Sequence, residues 1–310
     1  MAAQNAIRSA GLKRDRKVVA CRSKASTGSI TRTHTSNLDG LQQRASGATL
    51  KVVDRDPDRV RRVVLGLPEI GLRVEWLRDH LSASASTDLA FELERLCEAS
   101  ERSEPQARET VLALAILFAR SPDEPFVARL RSQAEALHLL SLGRLLRQAP
   151  APPRSVPPPE EAPIPDYGGG RELTVGERRS LARAPTRKAF DKLLSDPHPL
   201  VIRQLLDNPR LTEDDVVRIA ARRPVRPEAV VAIARAERWL KRPRVRLAIL
   251  LNPGSPPGIA MPLLAACTRC ELIEVVHGAD TSKVLRSTAR ELLARRPPLE
   301  EIDAGDRMVH

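Results

Sequence analysis

PHPLVIRQLLDNPRLTEDDVVRIAA (197–221) and RPRVRLAILLNPGSPPGIAMPLLAA (242–266) are two writings of one helix-turn-helix unit, and their reading decides the fold. Pro199, Val201, Leu205, Leu206, Asn208 and Pro209 of the first fall on Pro243, Val245, Ile249, Leu250, Asn252 and Pro253 of the second. Between them RRPVRPEAVVAIAR (222–235) repeats only the second half, setting Val230, Val231, Ile233 and Ala234 on Val216, Val217, Ile219 and Ala220. In each full unit the first helix carries an apolar stripe at one-turn spacing, Val201, Ile202, Leu205 and Leu206 or Val245, Ala248, Ile249 and Leu250. A residue before proline is pushed out of the α region, so this helix stops at Asn208 and Asn252, where Asn also satisfies loose backbone groups. Thr212 or Ser255 then offers an N-cap oxygen, and Glu213 or Pro256 opens the next helix.

Such a unit cannot bury its own apolar face and is stable only when stacked on neighbours. The DPxPxVR-like start followed by NPxxT or NPxSP, with RVRLAILLNPGSPP (244–257) the closest piece, resembles the leucine-rich repeat variant and HEAT-like α-solenoid proteins over about residues 173–296. The resemblance implies an α-solenoid that serves as a binding scaffold, since such proteins usually recognise other macromolecules and seldom catalyse.

The rest of the chain divides around this stretch. Leu, Ala, Val and Ile carry an apolar content of 42%, while aromatics are only 2%, which suits packed helices and an all-α fold. Residues 1–56 lack any sustained period and read as a basic disordered tail, similar in composition to a transit peptide but better explained as an accessory or mis-called start. From 57 to 148 apolar positions recur at helical spacing, predicting a domain of four or five helices with starts at Thr87-Asp88 and at Ser103-Glu104-Pro105. Its VLALAILFA run (111–119) lies between Arg108 and Arg120 and falls short of the roughly 20 residues of a membrane span, so it reads as a buried core helix. Residues 149–170, rich in Pro and closed by Gly168–Gly170, read as an extended, hydrated linker with a flexible joint. The repeat domain follows over 171–296, with helices expected at 174–183, 186–195, 199–207, 213–222, 227–240, 244–251, 256–266, 270–276 and 281–295, then an acidic tail over 297–310.

Charge is unevenly placed. The net +12 gathers in residues 1–56 (+7) and 171–296 (+11), whereas 57–148 is nearly neutral at −1. Arg218, Arg222, Arg223, Arg226, Arg235, Arg238, Lys241, Arg242, Arg244 and Arg246 form the candidate surface for an acidic protein partner or a polyanion. Their bland alternative is a set of solvated helix ends, with Arg222 and Arg223 complementing the C-terminal dipole of their own helix. A DNA-reading helix-turn-helix over 219–233 is disfavoured, because Pro224 stands where a positive-φ glycine is needed and EAVVAIAR presents no base-reading side chains.

Chemistry-bearing motifs are sparse. Cys267 and Cys270 have metal or redox spacing but no second pair, and they read as small apolar residues at a helix junction. The four cysteines are too scattered for a disulfide framework, so a reducing cytoplasm is expected. The six histidines are isolated, no GxSxG, Walker-type or GxGxxG motif occurs, and Asp214-Asp215 and Glu300-Glu301 are adjacent pairs that do not face one another on a helix. The expectation is therefore a cytoplasmic, non-catalytic protein-interaction scaffold with no cofactor, metal, membrane contact or small-molecule substrate. The alternative is sequence-tolerant binding to duplex phosphates through the basic face.

Overall fold

The computed structural model describes residues 58–153, 156–168, 170–224 and 226–298. The basic tail at 1–56 and the acidic tail beyond Pro298 lie outside the described residues. Within them every regular element is a helix and there is no strand, as the aromatic-poor composition predicts. Six helices, not four or five, occupy the first half: α1 (Arg59–Gly66), α2 (Ile70–Ala83), α3 (Thr87–Glu101), α4 (Pro105–Arg120), α5 (Pro125–Ala136) and α6 (Leu140–Leu145). The second half holds α7 (Val175–Arg183), α8 (Arg187–Leu193), α9 (Pro199–Leu206), α10 (Glu213–Ala221), α11 (Pro227–Arg235), α12 (Glu237–Leu240), α13 (Pro243–Leu250), α14 (Pro257–Ala265), α15 (Arg269–His277) and α16 (Lys283–Arg295). No helix among the described residues is long and apolar enough to cross a membrane.

Two kinds of helix start recur. α7, α10 and α15 open with a capping box, in which Thr174, Thr212 and Thr268 exchange bonds with Glu177, Asp215 and Glu271. α9, α11 and α13 instead open with Pro199, Pro227 and Pro243, whose missing N–H costs nothing in a first turn. α3 is capped by Ser86, one residue before the expected Thr87, through its hydroxyl and Leu89 N. Ser255 differs from expectation: its buried hydroxyl donates to Ile249 O at 2.7 Å, and Pro256 takes the N-cap position of α14 without a side-chain bond.

The expected helix over 227–240 divides at Ala236, whose φ of −89° and ψ of 83° separate α11 from α12. The break serves packing. It lets the Trp239 indole N–H reach Leu206 O at 3.0 Å and sets Glu237 against Arg120 of α4 at 3.0 Å.

α4 is the centre of the core. Residues Ala113–Ala119 are buried without interruption, and a helix apolar on every side needs neighbours on every side. α1, α2 and α3 supply some of them, while α11, α12 and α14 come from the repeat half. The helices before and after the Pro-rich stretch thus belong to one compact unit with a continuous hydrophobic core. Gly258 of α14 makes room for this contact, since a Cβ there would stand 3.1 Å from Pro122 Cβ. At the far end of the chain Arg296 is buried, and its guanidinium donates to Ser100 O at the end of α3, to Ala265 O at 3.1 Å and to Cys267 O at 3.0 Å.

The Pro-rich stretch has no helix among its described residues. Its end is nevertheless anchored: the Tyr167 hydroxyl donates to the buried Asp196 at 2.7 Å. Asp196 also accepts two 2.7 Å bonds from the buried Arg178 and one of 2.8 Å from His198 N, so its charge is fully partnered.

Candidate functional site

The Asn-Pro turns do more than stop a helix. The buried Asn208 amide donates to Ala182 O at 3.1 Å and Arg183 O at 3.0 Å, closing the end of α7, and its Oδ1 accepts from Arg210 N at 2.9 Å. The buried Asn252 repeats the arrangement on α10, donating to Ala220 O at 2.7 Å and Arg222 O at 3.1 Å and accepting from Gly254 N at 3.2 Å. Each turn therefore satisfies orphan carbonyls at the end of an earlier helix. α7 packs on α9 and α10 on α13 as a result.

Between α10 and α13 lies a groove of about 360 Å³. Val217 and Ala221 of α10 face Leu247 and Ala248 of α13, Leu251 and Asn252 complete the lining, and Arg223 and Arg244 stand on its rim. Val217, Leu247 and Leu251 pack on the core and keep part of their surface exposed.

The ten basic residues have several fates. Arg246 is buried and donates to Leu240 O at 2.9 Å and Lys241 O at 3.0 Å, so it caps α12 and is withdrawn from the surface; burial lowers its pKa. Arg238 donates to Asn208 O at 3.0 Å and lies 4.3 Å over the Trp239 ring. Arg223 caps α13 through Leu251 O at 3.2 Å while pairing with Asp280. Arg244 meets Asp214 at 2.7 Å, Arg242 meets Glu213 at 4.0 Å, and Arg218 lies 3.6 Å from Asp191 and 3.8 Å from Asp215. Arg226 is half-buried. Arg222, Arg235 and Lys241 are exposed and carry no ion pair among the described residues.

The acidic first turn of α10 thus offsets part of the arginine cluster. Exposed pairs of this kind contribute only about 0.2–1 kcal/mol each and leave their charges open to exchange.

A larger groove of about 610 Å³ runs between α4–α6 and α14, walled by Gln148–Ala151. Its two arginines are engaged, Arg147 with Glu291 in a bidentate pair at 2.8 Å and Arg131 with Leu146 O at 3.0 Å. Cys267 is buried at the α14–α15 junction, where desolvation, assisted by Glu271, pushes its thiol up to about 12; Cys270 is exposed. His277 Nδ1 is 2.8 Å from Ile273 O. Among the described residues no three His, Cys, Asp or Glu side chains are grouped to hold a metal.

Sequence reasoning found the arginines but not the groove. Of its floor, Val217 and Ala248 belong to the apolar stripes, whereas Ala221, Leu247 and Leu251 lie beside them, and exposure of a stripe edge depends on how far the next helix overlaps it. No family model, curated protein or solved structure matches the chain.

Proposed function

We propose that the chain is a non-catalytic protein-interaction scaffold, in which the helices from about residue 173 to 296 stack as an α-solenoid. The carrying observation is the α10–α13 groove, whose exposed aliphatic floor and arginine rim lie on two rigid helices clamped by Asn252. Rigid elements that present a part-exposed apolar surface are suited to recognition. The equivalent clamp at Asn208 supports the stacking, since it ties neighbouring units by the same bonds. A reducing cytoplasm suits the free thiols Cys97, Cys267 and Cys270.

Duplex phosphate binding is the second reading, supported by the exposed Arg222, Arg235 and Lys241. Chemical cross-linking of the full chain in a lysate of its source, followed by mass spectrometry, tests the scaffold; recovery of no protein above a matched basic control would remove it. Titration with random duplex DNA at rising salt tests the second reading, which needs strong binding at low salt that falls steeply.

A further inference from the structure

Resting on the scaffold reading, we infer that the α10–α13 groove docks an acidic peptide segment through aliphatic side chains inserted between Val217 and Leu247. The floor favours aliphatic over polar groups for a specific reason. Asn252 lines it, yet its amide donates to two carbonyls and its oxygen accepts from Gly254 N, so it offers an entering side chain no ready polar partner. The remaining floor is Val217, Ala221, Leu247, Ala248 and Leu251. Covering the exposed parts of Val217, Leu247 and Leu251 supplies a hydrophobic gain without rearranging the core on which they pack.

The rim sets the sign of the occupant. Arg223 and Arg244 have side chains 52% and 65% exposed, and their present partners Asp280 and Asp214 are exposed as well. Carboxylates on a docked segment exchange with these solvent-screened pairs at little cost. Arg218 and Arg222, both exposed on the α10 side, extend the positive field that guides the segment in. Single-stranded nucleic acid fits the groove poorly, because no aromatic ring lines it for base stacking.

Fluorescence anisotropy with the full chain and a fluorescein-labelled Gly-Glu-Leu-Glu-Glu-Leu-Asp-Glu-Gly peptide tests the inference. The expected result is saturable binding that weakens at least tenfold when both peptide leucines become serine. It weakens as much in an Arg223→Gln, Arg244→Gln double variant and in Leu247→Ser, while Arg290→Gln, exposed on α16 and outside both the groove and the arginine cluster, stays within twofold. No binding, equal binding of the serine peptide, or equal loss in Arg290→Gln would overturn the inference in favour of diffuse charge or none. The scaffold is read separately by cross-linking. A partner captured equally by the wild type and the double arginine variant leaves the scaffold standing and removes the groove, whereas capture of nothing removes the scaffold.

Discussion

Asn208 after α9 and Asn252 after α13 make the same bonds, each to two carbonyls of an earlier helix and one N–H two residues ahead. Their conservation of geometry within one chain explains why asparagine stands there and no apolar residue does. Replacing Asn252 with Ala strands the buried Ala220 carbonyl and the part-buried Arg222 carbonyl and is expected to cost about 1–3 kcal/mol in urea unfolding. Asn252→Asp is expected to cost more, because a carboxylate cannot donate and would place a charge against the same two oxygens. An aspartate variant as stable as wild type would refute this account of the turn.

Asp196 offers a second test. Asp196→Asn leaves the buried Arg178 cation without its counter-charge, and a loss of about 3–5 kcal/mol is expected. Tyr167→Phe removes one bond to the same carboxylate and should cost about 1.5 kcal/mol. If the tyrosine variant unfolds at wild-type urea concentration, the anchoring of the Pro-rich stretch contributes nothing.

Alkaline pH should weaken the fold in a way that one residue reports. Burial raises the Cys267 thiol to about 12, whereas an unfolded thiol titrates near about 8.5. Between these values the folded chain holds a proton that the unfolded chain has released, so this stabilisation is present below the unfolded value and is lost as pH rises. The expected slope from this thiol is about −1.4 kcal/mol per pH unit. Cys267→Ala should remove that slope between pH 9 and 11 in denaturation at a series of pH values, leaving the like-signed contribution of the buried Cys97.

Arg296 joins helix ends distant in sequence. Arg296→Met keeps the length of the side chain but abandons Ser100 O, Ala265 O and Cys267 O, with an expected cost of about 2–4 kcal/mol. Hydrogen exchange should quicken in the last turns of both α3 and α14. Acceleration confined to α16 would show that the contact is incidental.

The helices of the repeat half were legible because proline, asparagine and threonine punctuate them locally. Long-range placement was not. Nothing near Ala236 marks a break, which follows from Trp239 seeking Leu206 O and Glu237 seeking Arg120. The VLALAILFA run announced a buried helix, but its apolar surface does not name α14 as a partner. Among the arginines, composition showed the surplus of charge, while only the fold shows Arg246 inside and Arg244 beside Asp214.

The position of α4 also bears on synthesis. The face of it that α14 covers emerges long before α14 is made, so a growing chain carries that face without its partner for on the order of 10 s at about 5–20 residues per second. Until α14 arrives that aliphatic face is open to other apolar surfaces, and a chain released at that stage is expected to aggregate rather than persist as a folded half-protein.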